Sequence, residues 1–224
     1  SERVGDPLML TGVNFVVASG DSPDRLEPDT ILPLCAANPN LRMILPAGIA
    51  KKADELLGNA SPPMHPVNAG TFVSIDGIDI HGIDSANPKM RRDEEGNSKD
   101  LAYDILFGPF AIFHSGESIW HTHLVKQIRR WTINLAFLPI NGEVKTGERG
   151  DTLNGLEAAA LAKAISTSIA IPCHYDLFEH GNVSTDEFSD SCERLGQRSR
   201  VMKLGQRMTM GPITEARAGK ALPR

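Results

Sequence analysis

Imidazole and carboxylate groups meet at Ile171-Pro172-Cys173-His174-Tyr175-Asp176, where an apolar run stops at a polar corner. A histidine nitrogen beside carboxylates can hold a transition metal, and open α/β folds deliver such residues from the carboxyl ends of strands. The plainer reading is a core strand whose last histidine hydrogen-bonds a neighbouring loop. Phe113-His114-Ser115-Gly116-Glu117-Ser118 is a second apolar run that ends in polar side chains. His121-Thr122-His123 follows and offers a His-x-His pair. Residues i and i+2 diverge on a helix, so a solvated helix start is the expectation there. Cys173 has no neighbour in sequence that would favour a thiolate and reads as a packed thiol. Ser115 and Ser118 lack the Gly-x-Ser-x-Gly elbow of serine hydrolases. His114 reads as orienting the turn that follows it, and His65, His81 and His180 suggest no function.

These residues need strands and helices to position them. β-Branched Ile169 and Ile171 mark a buried strand over 168–172, preceded by a helix-like run over 156–165. Further strands are expected over 13–18, 42–45, 101–107, 110–114 and 133–138, with two more inside 67–83 joined by Asp76-Gly77. Helices are expected over 28–37, where Pro28-Asp29-Thr30 gives a good start, and over 47–57, which Gly58 closes. Two more are expected over 121–130 and 185–195. Residues 85–100 read as a charged surface loop, with Lys89 to Glu95 as mixed, solvated charge. Residues 142–154 read as a long polar loop and 200–210 as one or two closing strands. Strand hairpins followed by strand–helix–strand units predict an α/β fold, a mixed sheet covered by helices. Residues 1–210 form one domain on this reading, and 211–224 form a flexible tail.

The composition excludes several classes. The net charge is -5, and no basic aromatic stripe points to nucleic acid. No apolar run reaches the roughly 20 residues that a membrane helix needs. The cysteines are only 3, Cys35, Cys173 and Cys192, which is no disulfide framework. They suit a reducing compartment, cytoplasm or organelle interior, rather than secretion.

Three motifs in order resemble one family. Phe113–Ser118 looks like the His-Ser-Gly-Asp-Ser/Thr segment of metallo-β-lactamase-fold hydrolases. Ala136-Phe137-Leu138-Pro139-Ile140-Asn141-Gly142, then Asn154-Gly155-Leu156-Glu157-Ala158-Ala159, resembles the L-ascorbate-6-phosphate lactonase-like branch, as does the closing run from Ile171 to Phe178. The resemblance covers about 13–210. It implies an αββα sandwich, here apparently lacking its N-terminal strands, with a one- or two-metal site at one edge and hydrolysis by metal-bound hydroxide. Zinc, manganese or iron would be the metal if the site is retained.

The family's Thr-His-x-His-x-Asp-His motif matches Ser19-Gly20-Asp21-Ser22-Pro23-Asp24-Arg25. Gly20 and Ser22 stand at the first two histidines, Asp24 is kept, and Arg25 replaces the third. A further family histidine falls at or near Asn87, Glu117 matches the bridging aspartate, and only His174 matches a histidine ligand unchanged. Gly has no donor atom, a Ser hydroxyl is a poor zinc ligand, and a cationic Arg cannot coordinate. The expectation is a degenerate site with no resident metal, in which Asp24, Glu117 and His174 are vestigial ligands. His121 and His123 are further cleft candidates. The Arg25 guanidinium is expected to pair with Asp24 or Glu117 in the metal's place, the alternative being an Arg25 turned to solvent. The function read from this is a non-catalytic structural or interaction subunit, an oligomer or part of a complex, with a protein partner over the face left by the missing strands. A metal-dependent hydrolase of lactone, ester or phosphate-bearing molecules with an atypical, mononuclear site is the alternative. A module binding an anionic ligand through Arg25 is a third.

Overall fold

Asp76 and Gly77 both take positive φ, 53° and 79°. That is the geometry of a two-residue hairpin turn whose twist matches its strands. It joins β4 (Phe72–Ile75) to β5 (Ile78–Asp84). The hairpin opens the larger of two sheets in the computed structural model, which describes residues 5–121, 123–142, 151–175, 183–203 and 205–210. β6 (Leu101–Phe107), β7 (Phe110–His114), β8 (Leu135–Pro139) and β9 (Ile169–Cys173) complete a six-stranded sheet in sequence order. β4 to β7 run antiparallel, and β7, β8 and β9 are mutually parallel. The smaller sheet has three parallel strands, β1 (Phe15–Val17), β2 (Arg42–Pro46) and β3 (Met64–Val67).

Parallel neighbours need crossover helices. α1 (Pro28–Ala37) joins β1 to β2, with proline in its first turn, and α2 (Ala50–Leu57) joins β2 to β3. α3 (Leu124–Ile128) lies between β7 and β8, and α4 (Gly155–Ala164) between β8 and β9. Asn154 caps α4 in a complete capping box with Glu157. α5 (Asp186–Leu195) ends at Gly196 in the left-handed region.

Three apolar clusters stack these elements in layers. Leu26, Ile31, Met43, Leu45, Ile49 and Ala53 pack α1 and α2 on the smaller sheet. Ile44 and Val67 meet Ile75, Ile80, Leu101 and Tyr103 between the sheets. Leu124, Ala136, Leu138, Ala158, Ala170 and Phe188 pack the remaining helices on the outer face of the larger sheet. The order is helix, sheet, sheet, helix.

Four expectations need correction. β3 was not expected, and Pro66 hides it by breaking the alternation, which an edge strand tolerates. α3 is five residues, not ten, with His123 before its first turn. Residues 200–203 and 205–210 form no strand. Ala170 donates to Arg198 O and accepts from Arg200 N–H, one bridge at Ser199, and the chain then leaves the sheet. The 85–100 stretch is only partly a surface loop, since Ser85, Ala86, Ser98 and Asp100 are buried. The proposed tail at 211–224 lies outside the described residues, as do Asp176, His180 and most of the loop expected over 142–154.

Candidate functional site

The carboxyl end of β1 runs straight into residues 19–25. Ala18 N–H bonds Ile44 O at 2.9 Å and Ser19 O accepts from Leu101 N–H at 2.9 Å, which ties the start of the loop to both sheets. The buried Tyr103 hydroxyl donates to Ala18 O at 2.9 Å. Ser22 O then accepts from both Arg25 and Leu26 N–H, so residues 22–26 turn back on themselves.

That turn sends Arg25 inward and Asp24 outward. Asp24 is exposed and accepts from the Ser22 hydroxyl. Arg25 is nearly buried, at 11% exposure, and its guanidinium bridges two acids. Nη1 stands 3.3 Å from Asp100 Oδ1 and Nη2 stands 3.1 Å from Glu117 Oε2. Nε donates to Ser22 Oγ at 2.6 Å. A Cβ at Gly20 would stand 2.2 Å from Arg25 Nη1, so only glycine leaves the guanidinium its place.

Glu117 is the hub of the other half. It follows Gly116, whose φ of 59° turns the chain sharply after β7. Asn87 Nδ2 donates to Glu117 Oε2 at 2.9 Å, and His174 Nδ1 lies 3.5 Å from Oε1. His174 sits at the end of β9 with φ 58°, a left-handed backbone uncommon outside glycine. His114 Nδ1 accepts from Gly116 N–H at 3.0 Å. Burial, then the charge of His174, pull the His114 pKa down to about 4.

A second cation completes the ring. Arg91 holds Asp100 through two bonds of 2.6 Å and reaches Asp21 at 2.8 Å. Lys52 of α2 binds Asp21 Oδ2 at 2.9 Å. Burial would raise the Asp21 pKa, but Lys52 and Arg91 outweigh it and hold the carboxyl at about 2. Above the ring is an open cleft of about 470 Å³, lined by Asp21, Ser22, Arg25, Lys52, Asn87, Arg91 and Glu117.

Arg25, Glu117, Asn87 and His174 are thus brought together, and Asp24 stands apart at the lip. His121 and His123 do not line the cleft. His121 Nε2 pairs with Asp84 O at 3.0 Å, and His123 is exposed. Cys173 is pushed up to about 11 by burial, which keeps it a thiol. Asp100, Arg91 and Lys52 were missed. Asp100 is fully buried yet sits one residue before an apolar strand, and a lone acid at that place was the only signal. Among the described residues, no three of His, Cys, Asp and Glu converge on one point as a metal ion requires.

No protein-family model matches the chain. A UPF0173 metal-dependent hydrolase of Methanoculleus marisnigri is 24% identical over 156 residues, 67% of this chain. The match spans 66% of that relative's own length. Igni18, a metallo hydrolase of Ignicoccus hospitalis, superposes with a TM-score of 0.69 at 17% identity, over 86% of this chain and 77% of that one. The metallo-beta-lactamase fold protein YhfI of Bacillus subtilis superposes with a TM-score of 0.65 at 14% identity, over 85% and 75%. Together with the helix–sheet–sheet–helix layering, these likenesses make this chain a metallo-β-lactamase-fold protein.

Proposed function

We propose that this chain is a non-catalytic member of the metallo-β-lactamase fold, of lactonase-like descent, that serves as a structural or interaction subunit. The observation that carries this reading is the Arg25 guanidinium, bonded to Asp100 and Glu117 in the space above Gly20. A metal ion would need those carboxylate oxygens, and it would have to approach a fixed positive charge. The donor set argues the same way. Gly20 offers no atom, Ser22 already accepts from Arg25, and Asp24 is turned out. Asn87, Glu117 and His174 remain as a remnant, too few and too engaged for a tight site. The residues present therefore do not fit a resident metal.

Two observations favour a second reading, a metal-dependent hydrolase with an atypical site. The curated relative bears that name, and His174 and Glu117 still adjoin. Anion capture by Arg25 has less support. Arg25, Lys52 and Arg91 each already hold a carboxylate of this chain, so an incoming anion would compete with them.

Elemental analysis of protein purified without added metal or chelator tests the proposal. Less than a tenth of an equivalent of zinc, manganese or iron per folded chain is expected. One equivalent, lost with His174→Ala, would overturn it.

A further inference from the structure

One row of side chains crosses the outer face of the larger sheet from the β4 edge inward. Register sets Phe72 of β4 beside His81 of β5, His81 beside Asp104 of β6, and Asp104 beside Phe113 of β7. Residues directly opposite on one face have Cβ atoms about 4.5–5.5 Å apart. Asp104 is fully buried, and neither of its carboxyl oxygens has a hydrogen-bond partner. Of its two neighbours in the row, Phe113 is apolar and only His81 carries polar side-chain atoms.

His81 is engaged elsewhere. Its ring stacks on Phe72 with 4.8 Å between centroids and 21° between planes, and tilts against Trp131 at 5.1 Å. Trp131 follows α3, and its N–H donates to Ile128 O. His81 is therefore the plate through which the β4 edge meets the end of α3. Stacked in this way, it leaves a buried carboxyl unpaired beside it. Turned towards Asp104, it would make a hydrogen bond and give up both aromatic contacts.

A proton decides between the two. Burial lowers the His81 pKa from 6.5, Asp79 on the same strand partly offsets this, and Arg130 after α3 adds to it. β4 brings no charge, and Lys126 of α3 is exposed. The stacked ring thus resists protonation, and an arrangement that resists a proton gives way, as pH falls, to one that welcomes it. Aromatic faces also attract an imidazolium, but Phe72 is 58% and Trp131 36% exposed, where water weakens that attraction. Asp104 lies in a dry site, where a charge-assisted hydrogen bond is strong and an unpaired carboxylate costly.

We propose that His81 and Asp104 form a proton-operated latch: one proton taken from solvent draws the His81 ring off Phe72 and Trp131 into a hydrogen bond with Asp104, and so parts the end of α3 from the β4 edge. The proton belongs to the pair, and either the ring or the carboxyl can carry it within that bond. None of these four residues lines the cleft, so the latch stands apart from the reading of the cleft and does not depend on it.

The test follows the 224-residue chain by NMR from about pH 9 to about pH 5, with the histidine rings labelled. His81→Gln identifies the His81 signal by its loss. As His81 titrates, its nuclear Overhauser contacts with the Phe72 and Trp131 rings are expected to disappear, and the Trp131 indole signal to shift with the same midpoint. Asp104→Leu removes the inward partner. It is expected to lower the His81 midpoint by at least about one pH unit, a tenfold loss of proton affinity, and to keep the ring contacts. Asp104→Asn keeps the shape of the carboxyl and is expected to lower the midpoint as well, which separates the lost charge from repacking by leucine. Ring contacts that persist in the parent chain after His81 has titrated would overturn the proposal. So would a His81 midpoint unchanged in either variant, or a His81 that stays neutral throughout the range.

Discussion

Gly20 and Arg25 compete for one volume: a Cβ on Gly20 would lie 2.2 Å from Arg25 Nη1 and 2.8 Å from its Cζ. The absence of a side chain at one position is what seats the guanidinium of the other. Gly20→Ala should therefore expel Arg25 from Asp100 and Glu117. Breaking a buried pair by removing one partner costs about 3–5 kcal/mol, and the open cleft beside this one should keep the loss at about 3 kcal/mol. In an Arg25→Ala background the same change should cost about half as much, because Asp100 Oδ1, 2.6 Å from the same Cβ, still stands in its way. Urea unfolding of the four-protein cycle checks this, and additive costs would separate the two residues.

Arg25 can also be probed by charge and shape. Arg25→Lys keeps the cation but loses the fork that spans Asp100, Glu117 and Ser22. It is expected to recover less than half of the stability that Arg25→Ala loses. Full recovery would mean that charge alone matters there.

Acid should loosen the ring from the Asp21 side. An unfolded Asp21 takes its proton near 3.8 and the folded one near 2. The stability from this carboxylate is complete above about pH 3.8 and is lost as pH falls towards 2. Lys52 and Arg91 are largely exposed, so solvent screening reduces the effect to about 1–2 kcal/mol. Urea midpoints between pH 6 and pH 2.5 should fall less steeply for Asp21→Asn than for the parent chain.

Asp104 offers the opposite case. It is fully buried on β6, and neither carboxyl oxygen has a hydrogen-bond partner. Burial pushes its pKa well above the usual range. A carboxyl that ionises freely only when unfolded lowers stability as pH rises through and above its unfolded pKa. Asp104→Leu should therefore stabilise the chain by about 1–3 kcal/mol at pH 7, and by less at pH 4. A lower melting temperature at pH 7 would point to a polar partner for the carboxyl.

Much of the scaffold was legible because local chemistry and tertiary packing agree. Asp76-Gly77 predicts the hairpin, Pro28 the start of α1, and the strands from 101 to 114 need no rescue by context. The cleft was half legible. The family resemblance places Arg25 at a ligand position of that family, but spacing could not say which of two adjacent acidic and basic side chains faces inward. The bonds from Ser22 O to Arg25 and Leu26 decide that, and they put Asp24 at the tip of the turn. Asp100 lies 75 residues from Arg25 in sequence. Arg91 lies in a run of mixed charge whose solvated reading is correct for Lys89 and Glu94. Nothing periodic distinguishes Arg91, which reaches Asp21 and Asp100, from Arg92, which pairs with Asp84 instead.

The interlock between positions 20 and 25 also acts as a ratchet. A histidine placed at 20 alone would collide with the arginine already seated there. A histidine placed at 25 alone would leave Glu117 without that cation and Asp100 with Arg91 only. Either single substitution lowers stability by undoing the seat of the guanidinium. Positions 20 and 25 can therefore change only together without passing through a less stable protein.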